Sequence, residues 1–163
     1  MTIGCIRTLL LAGLLGAGCQ APPGGTSTGL ESRADHFRDL GLSCSDPRLD
    51  EGYAFLGARQ VECRGGVSGV QMVVTIDADS EGAPLVSASV PQASGRRAAV
   101  DAWSSVVLPM PGLDLMRTDL AGGLEEWARG GSASISVPGG LAWVSTGEGG
   151  EWTFSVDPDQ VRQ

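Results

Sequence analysis

The stretch Val70-Gln-Met-Val-Val-Thr-Ile-Asp77 carries the clearest secondary-structure signal in the chain. Gln71 and Thr75 are polar, and the positions that alternate with them are apolar: Val70, Met72, Val74 and Ile76. A period of two residues is typical of a β-strand that buries one face and exposes the other. The stretch therefore predicts a sheet with a hydrophobic core on one side.

Shorter stretches with the same alternation surround this strand. They predict further strands over residues 57–64, 85–90, 132–137, 141–145 and 152–156. Short turns rich in glycine, proline and acidic residues separate most of them, and turns of that length join antiparallel neighbours.

Three other stretches have apolar residues spaced by three and four, which is the helical period. They predict helices over Leu30–Leu40, Arg96–Leu108 and Asp114–Arg129, with Gly41 and Gly130-Gly131 at two of the C-termini. Gly122-Gly123 lies inside the third stretch and indicates either close packing or a late helix start. The whole pattern predicts an α+β domain, with an antiparallel sheet or sheets of about six short strands and two to three helices packed on one face.

The N-terminus has the three-part layout of a secretory signal peptide. Residues 1–7 are weakly basic, residues 8–15 are apolar, and the small Gly16-Ala17-Gly18 precede Cys19. The apolar run is far shorter than the ~20 residues that span a bilayer. The alternative to a leader that ends at Cys19 is a plain signal peptide cut elsewhere.

The segment Leu15-Gly16-Ala17-Gly18-Cys19 resembles the lipobox of bacterial lipoproteins, with Gly16 where that family usually has Leu. The resemblance implies that residues 1–18 are removed and that Cys19 carries the lipid, palmitate included. It also implies an exported domain, in the periplasm or outside the cell, that is anchored to a bacterial membrane. Gln20 rather than Asp after the cysteine is compatible with delivery to the outer membrane of a cell with two membranes; the alternative is the surface of a single-membrane bacterium. The resemblance does not extend to the folded domain.

The remaining chain divides by composition. Residues 19–29 are rich in Pro, Gly, Ser and Thr, which predicts a flexible tether behind the lipidated cysteine. A tether of this kind spans under ~20 Å on average, so the domain is expected close to the membrane. Residues 30–158 are predicted to form a single domain, and residues 159–163 a frayed C-terminus.

Charge and cysteine content narrow the function classes. The net charge of −8 becomes −9 once the leader leaves with Arg7, and an acidic chain argues against nucleic acid as a partner. After Cys5 leaves with the leader and Cys19 takes the lipid, Cys44 and Cys63 remain, and in an oxidising compartment they are predicted to form a disulfide. The alternatives are a redox pair, which normally has C-x-x-C spacing, or a metal site, which would need more ligands than these cysteines and the lone His36.

No catalytic constellation, phosphate loop or cofactor motif is recognisable in the sequence. We therefore predict a non-catalytic accessory or binding lipoprotein that contacts an unknown envelope protein or ligand. One alternative is a lipid or small-ligand carrier with a cleft between helices and sheet; its mouth would be formed by Leu108, Met110, Leu113, Leu115 and Met116. A carboxylate-based hydrolase is a second alternative, because paired carboxylates meet in space and not in sequence.

Arg96 and Arg97 stand at the predicted N-terminus of the second helix. Cations are disfavoured there by the helix dipole. The pair is therefore either a candidate anion-binding corner or a solvated surface pair.

The lipobox interpretation leads to a direct test. Cys19→Ala removes the acylated thiol, so we expect incorporation of radiolabelled palmitate to be abolished in the protein's own cells. Cys5→Ala is the matched control and should leave the labelling unchanged. Labelling that survives Cys19→Ala would show that the lipid is not attached at this cysteine.

Overall fold

The computed structural model describes residues 27–49, 58–78, 84–138 and 140–157. The predicted leader, Cys19, most of the predicted tether and the C-terminal residues 159–163 lie outside these residues. The described helices are α1 (Ser27–Asp39), α2 (Arg96–Val106) and α3 (Arg117–Ala128). The described strands are β1 (Ser43–Cys44), β2 (Arg48–Leu49), β3 (Arg59–Val67), β4 (Val70–Ala78), β5 (Pro84–Pro91), β6 (Ser134–Val137), β7 (Gly140–Thr146) and β8 (Glu151–Val156).

All eight described strands form one antiparallel sheet in the order β1-β3-β4-β5-β8-β7-β6, and β2 also pairs with β3. The predicted α+β class is confirmed. The sheet has two more strands than the six predicted. The additional strands, β1 and β2, have two residues each, which is too short for alternation to be visible in the sequence.

Two three-stranded meanders make up most of the sheet. One is β3-β4-β5 and the other is β6-β7-β8, and they join where their last strands pair. Across this seam Val86 lies opposite Val156, and Ala88 lies opposite Phe154. Helices α2 and α3 lie in the connection between the meanders. As a result, β6 forms one edge of the sheet, while β1 and β2 line the other.

One face of the sheet, here called the inner face, carries the core. Its central side chains are fully buried, among them Val61, Val74, Ile76, Val86, Ala88 and Phe154. The buried side chains of all three helices belong to the same core. Trp103 of α2 lies over the sheet, with its ring centroid 5.7 Å from that of Phe154. The helices therefore pack on one face, as predicted. Among the described residues no helix is long and apolar enough to cross a bilayer.

A disulfide joins Cys44 to Cys63, as predicted. The two residues lie directly opposite each other in the β1–β3 ladder. They are 19 positions apart in sequence, and closing a loop of that length stabilises a fold by about 3 kcal/mol in the chain-entropy model. The bond fastens the segment that follows α1 to the sheet.

The C-terminus of α1 explains why one predicted core position is exposed. The helix ends at Asp39, and Gly41 then adopts a φ of 87°. The amide of Gly41 donates to the carbonyl of Arg38, and the amide of Leu42 donates to that of Phe37, which is the pairing of a Schellman motif. Leu40 was predicted to continue the apolar face but is 43% exposed, because the helix has already ended.

Three other predicted helix boundaries were wrong by a few residues. Helix α1 begins at Ser27, so the last residues of the predicted tether are helical. Helix α2 ends at Val106, before Leu108. Helix α3 begins at Arg117, later than Asp114.

The two glycines inside α3 have different surroundings. A methyl group on Gly123 would clash with the side chain of Ile135 in β6. A methyl group on Gly122 would meet nothing within 4 Å. Close packing, one of the two readings of this glycine pair, is therefore confirmed for Gly123 alone, which lets α3 lie directly against β6.

This difference gives a matched pair of variants. Gly123→Ala should lower the free energy of unfolding by about 1–3 kcal/mol, because it overpacks the α3–β6 contact. Gly122→Ala should raise it by up to about 1 kcal/mol, because alanine favours the helix and has room. Urea unfolding of both variants measures the two effects. Equal destabilisation by both would contradict the described packing of α3.

Candidate functional site

The sheet face opposite the helices, here called the outer face, carries a row of mostly polar side chains. The strand register places Thr75, Ser87, Ser155, Trp143 and Ser134 side by side across neighbouring strands. The hydroxyl groups of Ser87 and Ser155 are 2.9 Å apart and hydrogen-bonded. None of the described helices packs on this face.

Apolar side chains interrupt this polar surface, among them two large ones on β7. Leu141 is 48% exposed, and Trp143 on the same strand is half-buried. Their small neighbours Ala142 and Val144 point into the core instead. Because side chains alternate along β7, Leu141 and Trp143 share one face, which the sheet places outward.

The backbone of β6 is partly open at the edge of the sheet. The amide of Val144 donates to the carbonyl of Ala133, and bonded and non-bonded pairs alternate along an antiparallel ladder. The register opposes Ser134 to Trp143 as the next pair. Ser134 and Ser136 therefore turn their amide and carbonyl groups away from β7, toward the edge.

The edge groups of Ser134 and Ser136 differ in their partners. The hydroxyl of Ser132 accepts a hydrogen bond from the amide of Ser134 and donates one to its carbonyl, both at 3.1 Å. The described residues offer no such partner to the amide and carbonyl of Ser136. The outward backbone groups of Ser134 are therefore bonded to a side chain, whereas those of Ser136 have no described partner.

A groove of about 400 Å³ runs between this edge and α3, and we refer to it as the α3–β6 groove. Its helix side includes Thr118, Asp119, Gly122 and Glu126, and its strand side includes Ser132, Ser134 and Ser136. Within the described part of the chain, neither the Asp119 nor the Glu126 carboxylate has a hydrogen-bond or ion-pair partner. Because seven residues make about two helical turns, both lie on the same side of α3. The groove therefore combines unpaired negative charge with open backbone groups.

A second cleft, of about 460 Å³, opens where β4 and β5 separate. The two strands pair only as far as Val73 and Ser89, and the cleft lies beyond that point between Gln71 and Pro91. Arg64 on its rim is already bound to Glu62 at 2.6 Å. Glu151 also lines this cleft, and Arg64 is the rim charge with a described partner.

The structure gives both arginines of the candidate anion-binding corner a partner within the chain. Arg96 donates to the carbonyl of Trp127 at 2.9 Å and lies 4.9 Å from the centroid of its ring. Arg97 binds both carboxylate oxygens of Glu125 and also contacts Asp101. These contacts offset the unfavourable position of two cations at the start of α2. Anion binding at this corner stays a prediction.

His36, the only histidine of the chain, is half-buried, and its Nε2 donates to the carbonyl of Val106 at 3.1 Å. This bond joins the C-terminal ends of α1 and α2. Among the described residues no three His, Cys, Asp or Glu side chains are grouped so that they could hold a metal ion. The position of His36 is accounted for by helix packing.

The segment predicted as the mouth of a carrier is mostly core. Leu108, Met110, Leu113 and Met116 are buried, and Leu115 alone of the five is exposed, at 78%. Neither of the clefts described above is lined by these residues. The carrier alternative stays a prediction without a described cavity at this segment.

Comparisons of the chain with protein-family models, with curated proteins and with solved structures find no match.

The Glu62–Arg64 pair gives a testable pKa. The hydrogen bond from Arg64 lowers the pKa of Glu62 below its usual value, and the positive charges of Arg64 and Arg48 add to this effect. Since the pKa is lower in the folded state, Glu62 stabilises the fold above its unfolded pKa, and this contribution is lost as the pH falls through the folded pKa.

Arg64→Gln should therefore raise the pKa of Glu62, as measured by an NMR titration of its side-chain carboxyl carbon. Arg97→Gln, which removes a cation bound to Glu125, is the matched control and should leave that titration unchanged. An unaltered Glu62 titration in Arg64→Gln would contradict the described ion pair.

Proposed function

We propose that this chain is an exported, lipid-anchored protein of the bacterial envelope, and that its domain binds a partner without catalysing a reaction. The observation that carries the proposal is the asymmetry of the sheet. Its inner face is filled by the helices, whereas the outer face and the β6 edge have no described element over them. Uncovered sheet surfaces are common sites of partner binding.

Cysteine usage supports the exported location. Cys44 and Cys63, the cysteines left after the predicted leader and lipid site, are joined in a disulfide. Disulfides persist in oxidising compartments and are rare in the cytosol. A lipid on Cys19 and a short tether would hold the domain near the membrane, which raises the effective concentration of a membrane-bound partner.

Glu62 and His36 are both engaged within the fold. A general acid made from a carboxyl group needs a raised pKa, whereas the pKa of Glu62 is lowered. His36 is turned toward a backbone carbonyl. Binding through the outer face or the sheet edge requires neither a perturbed acid nor a nucleophile.

The test is site-specific photocrosslinking of the tagged full-length protein in its own cells. A photoreactive amino acid replaces Leu141 on the outer face in one variant and Leu115, in the segment between α2 and α3, in the matched control. Both positions are exposed leucines. We expect position 141 to capture one envelope protein reproducibly and position 115 to capture it far less.

Two outcomes would contradict the proposal. Equal or absent capture at the two positions would mean that the outer side of the sheet does not face a partner. A co-purified lipid crosslinked from position 115 would place the carrier alternative first. Capture that weakens in Cys19→Ala would indicate that the membrane anchor contributes to the encounter.

A further inference from the structure

We propose that the α3–β6 groove binds an extended polypeptide segment with basic side chains, which adds to the sheet as a further strand beside β6. The inference rests on the proposed function, because it names the site and the chemistry of the partner. Its basis is the coincidence of three features in one groove: a strand edge that is open among the described residues, two carboxylates without a described partner, and a helix position without a side chain.

The strand edge supplies the first feature. Ser136 offers an amide and a carbonyl toward the edge, and the described residues do not bond them. Ser134 offers the same two groups, held by the hydroxyl of Ser132. An incoming strand can bond Ser136 directly and replace the Ser132 hydroxyl at Ser134. Strand addition of this kind gets its affinity from main-chain hydrogen bonds.

Natural sheets commonly guard an exposed edge with a charged side chain or proline. Strand β6 has the sequence Ser-Ile-Ser-Val and contains neither. The hydroxyl of Ser132 is the one described group that blocks part of this edge, and a hydroxyl is easily displaced. The edge is therefore open to pairing.

Charge determines which partner fits. Asp119 and Glu126 line the groove without a partner in the described chain. Glu125, the neighbour of Glu126, is by contrast bound to Arg97. Arginine or lysine side chains of an added strand would neutralise the two free carboxylates. A second copy of this chain is the wrong occupant, because it brings the same acidic groove and a net charge of −8.

Gly122 is the third feature. A glycine within a helix lowers its stability relative to alanine, and here no neighbour requires the missing side chain. Gly122 lines the groove, so the space beside it is part of the groove. When a residue disfavours the helix that contains it and no packing contact requires it, the explanation is often functional. We assign this space to the bound segment.

The probe for the test is a capped synthetic heptapeptide that alternates arginine with valine. One control peptide replaces every arginine with glutamate, and a second replaces every valine with proline, which keeps the charge but removes backbone donors. Binding to the full-length protein is followed by amide NMR. We expect the arginine–valine peptide alone to slow hydrogen exchange at the Ser136 amide, with an affinity that falls as ionic strength rises.

Four variants then separate groove binding from general effects. Asp119→Asn with Glu126→Gln should weaken binding about threefold to tenfold, whereas Glu31→Gln with Asp39→Asn, on α1 and equal in charge change, should not. Gly122→Ala should weaken binding about tenfold although it stabilises the helix. Ser132→Ala should strengthen binding about twofold to tenfold, because no hydroxyl has to be displaced.

Several results would overturn the inference. The peptide controls would do so if the arginine and glutamate peptides bound equally, if the proline peptide bound fully, or if no peptide bound at all. Amide chemical-shift changes confined to the outer face around Trp143 would place the peptide elsewhere. Self-association that protects Ser136 in the absence of peptide would mean that a second copy of the chain occupies the edge. If the peptide fails while position 141 still captures an envelope protein in cells, the proposed function stands and this site is wrong. If the peptide binds but cellular capture fails, the groove is a binding site and the proposed cellular role is wrong.

Discussion

The pairing of β5 with β8 turns two three-stranded meanders into one sheet. Without this pairing the last strand of each meander would be an edge strand. Phe154 lies opposite Ala88 at this seam, and Trp103 of α2 packs over Phe154. The large ring has room because its cross-strand partner is small, and close packing of this kind sets a unique arrangement of the core. This contact places α2 over the seam, and α3 packs in turn against α2 and β6.

Once the sheet is formed, its two edges differ in character. The edge beside β3 is covered by β1 and β2 and is closed covalently at Cys44–Cys63. The edge at β6 is covered by no described strand, and one serine hydroxyl occupies half of its outward backbone groups. Helix α3 lies close to that edge because Gly123 admits Ile135. The groove forms because α3 lies close to β6 while no described strand covers the edge of β6. Gly123 allows the close packing, and Gly122 leaves space beside the helix.

Periodicity in the sequence was sufficient to predict six of the strands and the three helices. In residues 70–77 and in the helical stretches, apolar residues recur at the spacing of the buried face. It could not reveal β1 and β2, whose two residues each carry no period. The groove was missed for another reason: Asp119 and Ser136 meet only after α3 packs on β6. Arg96 and Arg97 are cations at a helix N-terminus, where the helix dipole disfavours them. The sequence could not explain them, because their partners Trp127 and Glu125 lie in another helix. The one available signal for the groove was Gly122, a glycine with no reason to be in a helix.

The disulfide has a mechanical consequence. The chain enters the described domain through α1, and tension applied from the N-terminal side would reach that helix first. Helix α1 could unravel under such a pull, since its turns are held by single hydrogen bonds and by side-chain packing. At Cys44 the force would pass through a covalent bond into β3, a strand bonded along its whole length to β4. Extension would stop there, and the sheet would bear the load in shear while both of its uncovered surfaces kept their shape.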